Sequence, residues 1–137
     1  MTLLSPGLKH QESMTVERHH IVPEVGRWAG FTDMPPVFAT VMMIGFVEQT
    51  CILALRPYLD QRSGTVGTHV DMSHMAPTPV GGEVTAKIHL DAIDGKKLTF
   101  SVTVTDDYGL IGEGTHERAI IDRSRFDLAV VKRAETA

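Results

Sequence analysis

The chain has 137 residues, 42% apolar and 22% charged, which suits one domain with a sizeable core and is too little for two ordinary ones. A formal net charge of -4, with the thirteen Lys and Arg scattered along the chain, leaves no basic patch to suggest nucleic acid. Cys51 is the single cysteine, so an intrachain disulfide is excluded, and a cytoplasmic location is the expectation.

Residues 1–13, "MTLLSPGLKHQES", have no basic leader followed by a sustained apolar stretch. They read as a flexible leader rather than a secretion signal. One domain is expected over 14–126, with 127–137 as a C-terminal tail. "MTVERHHIV" carries β-branched residues in weak alternation and predicts a short strand near 14–22. "PEVGRWAGFTDMPP" is a loop by its Pro, Gly and Asp content; Trp28, Phe31 and Met34 are apolar groups in it that must cover something, as a lid would.

Pro35 and Pro36 suit a helix entry, and good helix formers continue to Leu55, so a mostly buried helix is predicted over 37–55. Glu48, Gln49 and Thr50 interrupt the apolar run, which excludes a membrane span. Four β segments follow at 65–75, 83–93, 97–105 and 110–121, with Gly81-Gly82, Asp94-Gly95 and Asp107-Tyr108-Gly109 as turns. Val84, Ala86, Ile88, Leu90 and Ala92 form one face of the second segment, and Leu98, Phe100, Val102 and Val104 one face of the third. One long apolar helix beside strands with a dry face and a wet face predicts an α+β hotdog-like layout, a central helix wrapped by a curved antiparallel sheet.

Glu48 falls on a helical stripe with Val41, Ile44, Cys51, Ile52 and Leu55, which places it inside the fold. A carboxylate there is functional, unless a helix end or an oligomer rim admits water to it. Thr40 opens the helix and either caps it or serves a site. It lies eight residues from Glu48, roughly 12 Å along a continuous helix, so the two meet at one site only if the chain folds back or a second subunit completes it. His74 shares a strand face with Val66, Thr68, Val70 and Met72, opposite Thr65, Gly67, His69, Asp71 and Ser73, and is either a satisfied core histidine or a catalyst. His69 with Asp71 and His19 with His20 lack a third ligand at informative spacing, so no metal is expected. Cys51 has no visible cationic partner and reads as an inert buried thiol. Gly112 and Gly114 precede a strand rather than a helix, which argues against a phosphate loop. His116 and Arg118 share a strand face, and an inward arginine there is a candidate for an oxygen-rich substrate.

"PPVFATVMMIGFVEQTC", "GTVGTHVDMSHMAPTPVGGEVTA" and "GEGTHERAII", in that order and spacing, resemble the fluoroacetyl-CoA thioesterase-like hotdog proteins, from about residue 15 to 126. The resemblance implies a homodimer that hydrolyses a short acyl-CoA thioester to acid and CoA, without metal or redox cofactor. It assigns Thr40, Glu48 and His74 to catalysis and Gly67 and Arg118 to the acyl pocket. Thr40 is then the nucleophile or a water-positioning hydroxyl, His74 the base, and Glu48 the group that orients His74 or itself attacks. The family's gate of two phenylalanines three residues apart reads Phe31 and Met34 here, a change that bears on acyl selectivity. The competing readings are a hotdog hydratase or dehydratase and a non-catalytic acyl-CoA binding module.

Overall fold

A computed structural model describes residues 3–136. Residues 1, 2 and 137, assigned above to leader and tail, lie outside the described residues. Strand β1 (Lys9–Thr15) leads into 3-10 turns at Arg18–His20, Val22–Glu24 and Ala29–Phe31. Helix α1 (Thr40–Leu55) and a further 3-10 turn at Arg56–Tyr58 follow. Then come β2 (Ser63–His74), β3 (Glu83–Asp94), β4 (Lys97–Asp106), β5 (Gly109–Asp122) and α2 (Arg123–Glu135). All strand pairs are antiparallel, in the order β1-β3-β4-β5-β2, so β1 and β2 are the edges.

The wrapped-helix layout is as the sequence predicts. Met43, Phe46, Val47, Cys51, Ala54 and Leu55 of α1 pack on Val84, Ala86, Ile88 and Leu90 of β3 and Leu98, Phe100, Val102 and Val104 of β4. Thr50 is buried on the same side and returns its hydroxyl to the Phe46 carbonyl at 2.8 Å, which removes the cost of burying it. The opposite side of α1 is also apolar but uncovered: Val41 is 43% exposed, and Ile44 and Ile52 are half-buried.

Four expectations are corrected. The first strand is Lys9–Thr15, not 14–22, so residues 9–13 are paired with β3 and are not a loose leader. Beyond it, Glu17 and His20 close a reciprocal capping box that turns the chain into a 3-10 helix where a strand was expected. The tail is mostly α2, whose first turn is capped by Asp122 accepting from the Arg125 amide at 3.0 Å. Finally, the strict alternation in the strands fails at three irregular steps, one of them between Val104 and Thr105 where β4 pairs with β5. Between Gly67 and His69 the register shifts, so Gly67 pairs with Arg118 while Val70 pairs with His116. Thr65 and Gly67 therefore share the helix-facing side with His74, because one extra residue reverses the parity of everything before it. A second shift between Leu90 and Ala92 exposes Ala92 and turns Ile93 to the core.

Among the described residues no helix is long and apolar enough to cross a membrane. The core and α2 make unequal contributions to stability. Phe100→Ala, at a fully buried position, should lower the unfolding free energy by about 3 to 5 kcal/mol in a urea melt. Leu128→Ala on α2, 69% exposed, should stay within about 0.5 kcal/mol.

Candidate active site

Thr40 is the first residue of α1, and Ala39 occupies the cap position without a side-chain cap bond. The threonine hydroxyl is thus not a cap. It lies 2.8 Å from His74 Nδ1, across from the last residue of β2. Phe38 meets the His74 ring edge-on, with centroids 6.4 Å apart, and is itself almost fully buried. His74 Nε2 is buried and has no hydrogen-bond partner among the described residues. Burial pushes the His74 pKa below the ordinary histidine value, which keeps the ring neutral at pH 7. A cleft of about 290 Å³ opens beside the pair, walled by Val22, Val37, Phe38, Met75 and Pro77.

A second polar group lies further along the helix. Glu48 Oε1 is 3.6 Å from Arg118 Nη1 and 3.9 Å from His116 Nε2. The expectation that Glu48 is fully inside is corrected: its side chain is 38% exposed, because it lies with Val41, Ile44 and Ile52 on the side the sheet leaves uncovered, whereas Cys51 and Leu55 of the expected stripe are buried. Arg118 and His116 are buried beneath it, at 3% and 0% exposure. Arg118 donates from Nε to Thr65 Oγ1 at 2.9 Å and from Nη2 to the Thr65 carbonyl at 3.0 Å. Burial lowers the Arg118 pKa and the Glu48 carboxylate opposes that shift, so the guanidinium stays charged. Gly67 sits directly over this group: a Cβ there would collide with Glu48 Oε1. A side chain at this position would have to displace the carboxylate from its place beside Arg118.

The structure therefore brings Thr40 to His74, and Glu48 to Gly67 and Arg118. It does not bring Glu48 to His74 within one chain. Phe31 stacks edge-on against Trp28 at 5.2 Å, and Met34 is 43% exposed. Neither lines the cleft at Thr40. Thr65 and His116 belong to the Glu48 group but were not assigned to the site from the sequence. Parity with Arg118 marks His116, whereas Thr65 is hidden by the irregular step in β2. Cys51 is fully buried and its thiol is pushed up to about 12, chiefly by burial, which makes it inert. Glu17, His19 and His20 cluster closely enough to suggest metal ligands, but His20 Nδ1 accepts from the Glu17 amide at 2.9 Å and the Glu17 carboxylate caps the same turn.

A central helix wrapped by a five-stranded antiparallel sheet defines a hotdog-fold protein, and its likenesses place it in the thioesterase class. A sequence profile described as fluoroacetyl-CoA-specific thioesterase (FlK) matches residues 16–124, and the chain belongs to that family. It is 40% identical over 111 residues to the fluoroacetyl-CoA thioesterase of Streptantibioticus cattleyicolor, covering 81% of this chain and 78% of that one. The solved structure of the fluoroacetyl-CoA thioesterase FlK superposes with a TM-score of 0.90 at 34% identity, covering 94% of this chain and 96% of the other. A variant of that enzyme in complex with fluoroacetate and CoA superposes with a TM-score of 0.87 at 35% identity, over 90% and 99%. A thioesterase superfamily member from Thermus thermophilus shares the fold, with a TM-score of 0.85 at 21% identity, over 99% and 96%.

Two buried histidines and the half-buried His74 impose a pH dependence on stability. His20, His74 and His116 all have pKa values lowered by burial. The unfolded chain then binds more protons than the folded one below about pH 6.5, so their contribution is complete above that value and is lost as pH falls through the folded pKa values. Thermal melts should show a falling midpoint from about pH 7 to about pH 5.

Proposed function

We propose that this protein hydrolyses a short-chain acyl-CoA thioester, of the fluoroacetyl-CoA kind, to the free acid and CoA at a site shared between two chains of a homodimer. The observation that carries the reading is the 2.8 Å contact between the Thr40 hydroxyl and His74 Nδ1, beside an open cleft and in a chain 40% identical to a fluoroacetyl-CoA thioesterase. With Nδ1 unprotonated, neutral His74 accepts the threonine proton as Thr40 Oγ1, or a water held by it, attacks the thioester carbonyl carbon. The carbonyl π pair moves to oxygen. The Met42 and Met43 amides donate to the Ala39 carbonyl, which leaves the Thr40 and Val41 amides of the first turn, uncapped by any side chain, as donors for that oxyanion. Collapse breaks the C–S bond, and the CoA thiolate leaves with the proton held on His74. If Thr40 was the nucleophile, a water activated by His74 then releases the acid.

Glu48 completes this site from the partner chain. The offset of roughly 12 Å along α1 keeps it from its own His74. Edge strand β2 offers a free row of backbone groups, and Val41, Ile44 and Ile52 with Val70 form an uncovered apolar surface around Glu48. A second copy joined along β2 satisfies both. Gly67 and Arg118 then belong to the acyl pocket, and the Phe31–Met34 loop closes over the acyl group. The pocket is filled by substrate alone, without metal or redox cofactor, and a cytoplasmic location suits a CoA ester.

His74→Ala should lower kcat by about two or more orders of magnitude in an assay of free thiol release, as expected for loss of a general base. An unchanged kcat with a raised KM would reassign the histidine to binding, and loss of enoyl absorbance in place of thiol release would indicate a hydratase. Selectivity should be shallow, because a methylene is discriminated by only about 1 to 3 kcal/mol even in a well-fitted pocket. Met34→Phe should narrow the range toward small acyl groups, read as kcat/KM for acetyl-, fluoroacetyl- and butyryl-CoA. Unchanged ratios would show that the loop does not touch the acyl group.

A further inference from the structure

Arg118 is a buried charge whose three nitrogens each make a hydrogen bond, with the Glu48 carboxylate as the nearby counter-charge. Thr65 takes Nε and Nη2, while Nη1 meets His116 Nε2 at 3.2 Å and lies 3.6 Å from Glu48 Oε1. The other ring nitrogen of His116, Nδ1, lies 2.8 Å from the His69 carbonyl, at the irregular step in β2. A carbonyl can only accept, so Nδ1 carries the proton. In a neutral imidazole the second nitrogen is then bare, and Nε2 accepts from Arg118 Nη1. A ring at 0% exposure beside a guanidinium has no means of solvating a second charge, and burial accordingly lowers its pKa.

We propose that His116 is a positioning residue for the carboxylate of Glu48, acting through Arg118: a neutral acceptor that fixes Nη1 between the imidazole and the carboxylate without drawing off its charge. The inference rests on the reading that Glu48 belongs to the hydrolytic site. Neutrality is the essential property. A carboxylate at position 116 would hold the guanidinium equally well but compensate its charge, leaving Glu48 without its counter-ion. The imidazole supplies one acceptor toward Arg118 and spends its only proton on the strand backbone. The geometry of Glu48 is thus tied through Arg118 and His116 to the step in β2 that also creates room for the carboxylate over Gly67.

Two near-isosteric substitutions separate the two halves of this role. The amide of Asn places a donor where Nδ1 stands and has nothing at Nε2; the longer Gln places an acceptor near Nε2 and lacks the Nδ1 donor. His116→Asn should lower kcat by up to about 10²-fold with KM little changed, the scale expected when a reacting group is displaced by a fraction of its length. His116→Gln should recover much of that loss. The loss on His116→Asn should also vanish in a Glu48→Gln background, since it acts through that carboxylate. Asn outperforming Gln, or an undiminished loss in the Glu48→Gln background, would overturn the inference in favour of a purely structural tie. Exchange of the Arg118 Nη1–H protons, followed by NMR, reads the positioning without turnover: it should be slow in the wild type and in His116→Gln and faster in His116→Asn. Equal exchange in all three would overturn the inference whatever the activity, whereas absence of thiol release by the wild type would overturn the functional reading instead.

Discussion

A helix that is apolar on every side needs cover on every side, and a single five-stranded sheet reaches only part of it. In α1 the side carrying Met43, Phe46, Val47, Cys51, Ala54 and Leu55 is sealed, while Val41, Ile44 and Ile52 are left half-wet around Glu48. Burying such side chains stabilises by about 1.5 to 3 kcal/mol each, so the uncovered stripe is a standing driving force for association. The same side of the molecule carries the unpaired edge of β2. In the proposed homodimer one partner in one orientation would meet both demands, and the proposed site residues would lie along that seam.

The electrostatics follow from the same constraint. A guanidinium at 3% exposure is tolerable only with its donors occupied and a counter-charge nearby. Thr65 and His116 supply the acceptors, and Glu48 supplies the charge. At the start of α1, by contrast, the threonine hydroxyl and a neutral imidazole face a cleft with no full charge between them. One helix therefore carries a charged group and a neutral hydroxyl–imidazole pair two turns apart, and under the proposed function the anion and the base, apart in the single chain, would meet in the assembled pair.

The helix, the four long strands and their turns were legible because their signals are local: Asp-Gly at a hairpin, alternation on β3 and β4, and two prolines before α1. Strand β1 was not, since "KHQESMT" is an edge strand whose pairing to β3 depends on backbone rather than on any apolar run. The steps at Thr68 and Asp91 were equally hidden, because period-two parity assumes that every residue advances the register. Glu48 stands out in the sequence as the odd residue of an apolar run, but its side of the helix is not legible there: with apolar residues nearly all round, periodicity has no preferred direction to report. Thr40 was weighed as a cap, and only the His74 contact shows its hydroxyl to be engaged elsewhere. The pairing of Glu48 with Arg118 across distant segments is a tertiary fact with no local signature.

The central claim is that Thr40 and His74 of one chain work with Glu48 of the other, and subunit complementation tests it directly. Chains carrying Glu48→Gln and chains carrying His74→Ala, each strongly impaired but with measurable residual activity alone, would be unfolded together, refolded as a mixture and assayed for thiol release. A mixed dimer then holds one site with both defects and one with none, so the account expects activity to rise well above both parents on mixing. Mixed dimers that form, as shown by a tag on each chain, yet stay as impaired as their parents would contradict it and place the whole site within a single chain.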